Sequence, residues 1–542
     1  MNYNKKQLKG EFFTEDKNII NKLLNTLKIS GNIFNYKVLE PSVGSGNLVI
    51  ALLNEMTKFS SKKKDFDKFL KNNLFMNELD EAFLKQTHTN IKYFYEKKFN
   101  KKLNIKLNLL NIDFTKKINK SDLFTNDNEL KDHLNSFDIV FGNPPFVTLY
   151  GRRDKKENES QRATYLKDFD QFPISLKNGK INLTMLFIEN SLDLLKKDGK
   201  LSYICDGTFF ENAFIHTRKY ILEKTFIEEL RCNLSNFENV YSTQIILSLI
   251  KNNLNKKTLF VDEKSLNENY VDQKTWNNPD DNFRFKRLFE KNEATIINKI
   301  KKGCSLTLKD KYPKKNLRTS SMLLTYENEF ITKDLTKINS KYYRFYHGSQ
   351  SLQKKYDELK FNKLFNYDKE KQDTINEKLK IKLIQQGIKN KKRIGLGELI
   401  VHQMPKVYIR QSSKNIITSF DENFSTANNS LYLFTLRSNK KNDVDFLKFL
   451  CGYLNSDIIN YYCKKVNIIR SNVSKQPQMN ISDLYKIPLI ENDQIKKKIT
   501  FLVDEIYKNK DLVKKNSEKI NQILFGFFDI NDSERIKIRD YQ

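Results

Sequence analysis

A chain of 542 residues exceeds what one ordinary hydrophobic core can organise, so two or three domains are expected. Hydrophobic residues make up 39% of it and phenylalanine alone fills 40 positions, which excludes wholesale disorder. Lysine and arginine number 96 against 66 acids, a net charge of +30; this reflects either a lysine-rich coding bias on a solvated surface or a polyanionic partner such as nucleic acid.

The first ten residues, MNYNKKQLKG, are polar and lack the apolar centre of a signal peptide. No apolar run reaches the roughly 20 residues that cross a bilayer, so a cytoplasmic protein is expected. Short apolar runs bounded by Gly, Pro, Asn or Asp then recur: KVLEP (37–41), NLFMNEL (73–79), KLNLLNI (106–112), FDIVFGN (137–143) and GKLSYIC (199–205). Between them lie amphipathic stretches such as LTMLFIENSLDLLKK (183–197), which has helical periodicity. Strand–helix alternation implies an open parallel α/β sheet, with ligands at the carboxyl ends of its strands.

After residue 251 the pattern loosens. We expect a catalytic domain over 1–255, a polar linker over 256–290 and a second, mixed α+β domain over 291–542. That second domain contains aromatic-rich segments (341–350, 460–465) and ends in charged helices from Asp493 to Phe528. The five cysteines are scattered, odd in number and without ligand spacing; neither a disulfide framework nor a metal site is expected.

Three strand ends carry acids. In VLEPSVGSGNLVIAL (38–52), Gly44 and Gly46 let the backbone approach a ligand, and the following helix offers free N–H groups. The third glycine of a dinucleotide fingerprint is missing. Glu40 at the strand end suits a cation, such as a sulfonium carrying an ammonium group, better than a pyrophosphate. Glu78, followed by Leu79, stands where an acid takes ribose hydroxyls in doubly wound folds. Asp113 can accept from an adenine amino group, and Phe114 can pack on its ring. Each residue alone reads equally well as a turn, a cap or a surface acid; together they outline a nucleoside site.

At 142–146 an apolar run ends in Gly-Asn-Pro-Pro-Phe. Pro144 and Pro145 stiffen the chain and lack N–H donors. The Asn143 side-chain oxygen and the Pro144 carbonyl then form two acceptors at fixed spacing, which match the two hydrogens of an exocyclic NH₂. Just beyond, Arg152 and Arg153 in GRRDKK (151–156) are either phosphate contacts or a solvated charge run.

The succession GEFFTED (10–16), LEPSVGSG (39–46) and NPPF (143–146) resembles the gamma class of DNA adenine-N6 methyltransferases of restriction–modification systems. Further likenesses extend through 199–212 and 236–250, so that the resemblance is tight over 8–250, and looser ones through 450–465 and 481–489 to that class's target-recognition domain. The resemblance implies a Rossmann-like catalytic domain using S-adenosylmethionine, followed by a domain that reads duplex DNA. It gives Thr14 a contact to the cofactor's methionine portion and Glu40, with the Ser42 backbone, a hold on its amino end. Glu78 takes the ribose; Asp113 and Phe114 take the adenine. Asn143 and Pro144 accept from the target amino group of a flipped base, Phe146 stacks on it, and Phe237, close to Tyr241, is the opposite wall. Phe146 replaces the commoner tyrosine, and stacking needs only a ring face.

Other readings of the motif are a protein glutamine or an RNA adenine methyltransferase, and a catalytically silent DNA-binding subunit. A nuclease fused ahead of the catalytic domain is not expected, because few residues precede GEFFTED; a separate endonuclease partner is. The expected working form is a monomer on DNA.

Overall fold

The computed structural model describes residues 16–118, 129–149, 155–176, 180–234, 244–252, 256–264, 266–285, 291–312, 315–339, 341–385, 393–469 and 477–541. It divides into two units, Met1–Leu288 and Phe289–Gln542.

The first unit is built on a nine-stranded sheet. Its strands are β1 (Val38–Glu40), β2 (Leu74–Asn77), β3 (Asn108–Leu110), β4 (Phe137–Gly142), β7 (Leu195–Asp206), β8 (Phe226–Leu234), β9 (Gln244–Ile250), β10 (Lys257–Asp262) and β11 (Asn267–Asp272). A separate two-stranded ribbon pairs β5 (Thr148–Leu149) with β6 (Ile181–Asn182). The order across the large sheet is 3-2-1-4-7-9-8-10-11. Strands β3, β2, β1, β4 and β7 are mutually parallel, whereas β9 runs antiparallel between β7 and β8. The chain winds outward from β1 in one direction and from β4 in the other. The β1/β4 boundary is therefore the topological switch point, with a crevice at the strand carboxyl ends.

The central strands β1 and β4 are largely apolar, Glu40 and Asp138 excepted, because helices cover both faces. Alternate residues separate accordingly: Leu39, Phe137 and Val140 join the core on one face, and Val38, Ile139 and Phe141 the core on the other. The second face is covered by α1 (Lys17–Leu27), α2 (Asn47–Met56) and α3 (Glu81–Phe99); the first by α4 (Leu183–Leu194) and α5 (Ile215–Lys224). Helix α1 shows why such segments fold as they do. Asp16 caps it by accepting from the Asn18 and Ile19 amides, and Ile19, Ile20, Leu23, Leu24 and Leu27 form its buried stripe.

Two expectations are corrected here. Helix α4 stops at Leu194 rather than running to 197, because Leu195 turns extended to begin β7. The described part of 256–290 is not a linker: β10 pairs with β8, β11 pairs with β10, and the Trp276 and Phe285 rings stack 4.9 Å apart in the first unit's core. The polar composition misled because β11 is an edge strand, and none of Asn267–Tyr270 is buried.

The second unit is mixed α and β. One antiparallel sheet has the order Leu317–Thr319, Leu431–Phe434, Lys406–Arg410, Thr418–Asp421. Another combines Ile331–Thr332, Leu364–Asn366, Tyr342–Tyr346 and Ser425–Ala427. Helices Lys441–Asn455, Asp493–Lys508 and Val513–Phe527 share one core; Gly452 is required there, since a Cβ would lie 2.7 Å from Ile499 and 2.8 Å from Val503. Among the described residues no helix is long and apolar enough to cross a membrane.

Candidate active site

The loops at the switch point are bound to one another. After β1 the chain turns through Ser42–Gly46, with Gly44 at φ 53° and Gly46 at φ 88°, a region that glycine enters without a Cβ penalty. Gly46 is also the N-cap of α2, and no side chain occupies that cap. The loop is held from behind: Thr87 Oγ1 donates to the Gly44 carbonyl (2.7 Å), and Asn90 Nδ2 donates to the Ser45 carbonyl (2.8 Å). Both donors lie on α3.

Glu40, at the end of β1, is fully buried. Its Oε2 accepts from the Ser42 amide at 3.2 Å, while Oε1 has no hydrogen-bond partner of normal geometry among the described residues. Burial pushes its carboxyl well above the ordinary range; the nearby Glu78 charge adds to this, and the Ser42 and Asn143 amides pull it partly back. Gly142, the last residue of β4, has to be glycine because a Cβ there would collide with Glu40 Oε1. The two strand ends thus interlock at one carboxylate.

Glu78 is half-buried and accepts from the Gly44 amide (3.0 Å) and from the Leu79 and Asp80 amides (2.9 and 3.2 Å). It ties the glycine turn to the start of α3. Leu79 is 62% exposed, an apolar side chain left uncovered beside the acid. Asp113 is also half-buried, its Oδ1 accepting from the Thr115 amide and hydroxyl. The expectation for Phe114 changes in kind. Its ring is 2% exposed and packs on Phe187 at 4.9 Å in the core, so it supports the loop from beneath and offers no free face.

The Asn143–Phe146 turn leaves β4 directly beside this loop. Ser42 Oγ donates to the Asn143 carbonyl at 3.2 Å, joining the glycine loop to the turn. Pro144 is buried; Asn143, Pro145 and Phe146 are half-buried, and Phe146 lies against the core that holds α1 to α3. Hydrogen bonds tie Glu40 to Ser42, Ser42 to Asn143, and Glu78 to Gly44 and Leu79, so these residues stand together at the ends of β1, β2 and β4; the hydrogen bonds of Asp113 described above go only to Thr115. Thr14, Arg152, Arg153, Phe237 and Tyr241 lie outside the described residues.

Asn77 was missed. Buried at the end of β2, it donates to the Pro41 and Ile112 carbonyls (both 3.0 Å) and accepts from the Ile112 amide (2.9 Å), clamping three strand ends with one carboxamide. Its position inside an apolar strand, one residue before Glu78, was the available signal.

Comparison with known proteins finds two matching family models. Residues 47–239 match the Eco57I restriction-modification methylase family, and residues 368–489 match the TaqI-like C-terminal specificity domain. A 123-residue stretch is 28% identical to the type II restriction enzyme and methyltransferase RM.Eco57I of Escherichia coli; it covers 22% of this chain and 11% of that protein. The fold resembles that of the type IIL restriction-modification enzyme MmeI, solved in complex with DNA, with a TM-score of 0.63 at 12% identity over 99% of this chain and 79% of that one. It also resembles DrdV in a DrdV–DNA complex, with a TM-score of 0.52 at 11% identity over 90% of this chain and 55% of the other. Residues 47–239 therefore match an Eco57I-type restriction-modification methylase domain, and residues 368–489 a TaqI-like C-terminal specificity domain.

Proposed function

We propose that this protein is a site-specific DNA methyltransferase that methylates N6 of an adenine turned out of duplex DNA, within a restriction–modification system or as a solitary modification enzyme. The observation that carries the reading is the Ser42–Asn143 hydrogen bond, which sets the Asn-Pro-Pro-Phe turn against the glycine loop. The residues fit the cofactor. A fully buried carboxylate that burial holds well above its ordinary range calls for a cation, and Glu40 is such a group. Glu78 and Asp113 stand at the next two strand ends for the ribose and the adenine, and exposed Leu79 offers an apolar surface to the purine.

S-adenosylmethionine, when bound, supplies a methyl group on a good leaving group. The adenine amino nitrogen is a weak nucleophile because its lone pair is delocalised into the ring. The Asn143 carboxamide oxygen and the Pro144 carbonyl accept its two hydrogens, favour a pyramidal nitrogen and aim the lone pair at the methyl. Positive charge then grows on the amino group, and Phe146 and the carbonyl dipoles stabilise it. Holding both reactants in line supplies much of the acceleration, since well-oriented reactants reach effective molarities of about 10⁵–10⁸ M.

Such a pocket reaches N6 only in an extruded base. Extrusion costs a few kcal/mol, offset by contacts elsewhere. The basic chain and the specificity domain are the source we assign: phosphate contacts for affinity, base contacts for sequence choice. Arg152 and Arg153, next to the catalytic turn, are assigned to phosphates, and Phe237 to the far wall of the base pocket. A separate endonuclease is the partner that a restriction–modification role calls for.

The test is transfer of labelled methyl from S-adenosylmethionine to duplex DNA, RNA or a glutamine-containing protein acceptor, followed by digestion and identification of the product. Label in N6-methyladenine from duplex DNA is expected; label in cytosine, RNA or glutamine overturns the reading.

A further inference from the structure

Two loops must be held at a fixed separation for transfer: the one after β3, which takes the cofactor's purine, and the one after β4, which takes the acceptor. Helix α4 touches both. At its N-terminal end, Thr184 Oγ1 donates to the Pro145 carbonyl at 3.3 Å, and the Leu183 amide donates to the Val147 carbonyl at 2.9 Å. The turn's exit is fixed on the same side: β5 pairs with β6, and Asn182 both caps α4 (Thr184 amide to Oδ1, 3.0 Å) and donates to Thr148 Oγ1 at 3.2 Å. Two turns further along, the buried Asn190 carboxamide donates to the Phe114 and Lys116 carbonyls (2.9 and 2.8 Å) and accepts from the Ile118 amide (3.3 Å). Glu189 and Asp193 pair with Lys117 of the same loop.

These contacts are not what packing α4 onto a sheet requires. Leucine or alanine at 184 and 190 would fill such positions on an apolar helix, and a lone buried hydroxyl or carboxamide is costly unless its bonds are made. Here the bonds go to backbone carbonyls of the two functional loops. The Pro145 carbonyl belongs to the peptide unit whose nitrogen is that of Phe146, so the Thr184 hydroxyl sets the plane from which the stacking ring departs. An α-helix rises 1.5 Å per residue, so residues 184 and 190 lie about 9 Å apart on one rigid rod.

We propose that α4 is the strut that sets the distance between methyl donor and acceptor, with Thr184 as the positioning residue for the acceptor turn and Asn190 as its counterpart for the purine loop. This rests on the methyltransferase reading above. Neither residue touches the reacting atoms; each acts through a loop carbonyl. The two ends have opposite kinetic signatures. Loss of the Thr184 hydroxyl mis-sets the turn in the ternary complex and lowers kcat while leaving the cofactor loop in place. Loss of the Asn190 carboxamide frees the purine loop and appears first as weaker cofactor binding.

The experiment compares wild type, Thr184→Val, Thr184→Ser and Asn190→Ala on whichever acceptor the wild type methylates, measuring kcat and, by calorimetry, the cofactor Kd. Thr184→Val keeps the side-chain volume, removes the donor and is expected to lower kcat by roughly 10- to 100-fold, as misplacements near 1 Å do. Its cofactor Kd should stay within about twofold of wild type, which also reports a folded site. Thr184→Ser, which retains the hydroxyl, should recover most of the rate. Asn190→Ala should weaken cofactor binding by about tenfold, the scale of one lost buried hydrogen-bonding group. Unchanged kcat in Thr184→Val, a parallel loss of cofactor affinity in that variant, or failure of serine to rescue overturns the positioning role. A wild-type protein that binds the cofactor yet methylates no acceptor overturns the parent reading instead.

Discussion

Glu40 occupies a place where a negative charge is expensive until a cation arrives. Its carboxyl is held above the ordinary glutamate value of 4.5 by burial and by Glu78. A raised folded-state value means that the free protein is favoured at low pH; the contribution is lost as pH climbs from that ordinary value through the raised one. Glu40→Gln should therefore raise the Tm of the cofactor-free protein at pH 7–8 while weakening cofactor binding by about 10- to 100-fold, the size of a lost charge-assisted bond. In the wild type, cofactor affinity should rise with pH over the same window and binding should release a proton, read by calorimetry in buffers of different ionisation enthalpy. pH-independent affinity and an unaltered Tm would remove Glu40 from the cation site. Gly142→Ala addresses the same carboxylate from the other strand. Its Cβ meets Glu40 Oε1, so cofactor binding should be lost even where the fold survives, as checked by circular dichroism beside calorimetry.

At the scale of elements, the α4–loop junction contains a buried ion cluster in which Lys117 pairs with Glu189 and Asp193 at side-chain exposures of 2%, 0% and 19%. Lys117→Met would leave two acids facing each other without their cation. Breaking a buried pair costs about 3–5 kcal/mol, which lowers Tm by roughly 6–20 °C in a domain of this size. A shift under 2 °C by thermal denaturation would contradict this account of the junction. Which elements were legible in the sequence follows from the same physics. Central strands are buried on both faces, so β1, β2 and β4 read as mostly apolar runs, and the Glu40, Glu78 and Asn143 that end them, with Asp113 beyond β3, stand out. Asn77, Thr87, Asn90, Thr184 and Asn190 did not, because a polar residue within a strand or helix reads as solvent-facing until its carbonyl partners are known. Strand β11 escaped notice because an edge strand alternates polar residues toward water and resembles a loop.

For the whole molecule, the excess of positive charge becomes an observable only when a polyanion binds. A protein that neutralises six to ten phosphates loses about 10³–10⁵ in affinity between 50 and 200 mM salt. DNA binding by this chain should fall steeply and linearly in log–log form over that range, and a salt-independent Kd would assign the net charge of +30 to coding bias. The specificity domain was legible only as a change in texture: its small sheets and helical core lack the long apolar runs of the first unit. The reach of the first unit's sheet beyond residue 255 was likewise hidden, and with it the point at which one unit ends and the next begins.

The turn at Asn143 and Pro144 carries the whole account, and single-turnover methyl transfer by Asn143→Ala tests it most directly. Removing one of two acceptors that act on the reacting amino group should cut the rate by about 10²–10³-fold or more, with cofactor and DNA affinities within about threefold of wild type. Transfer at the wild-type rate in that variant would contradict the account.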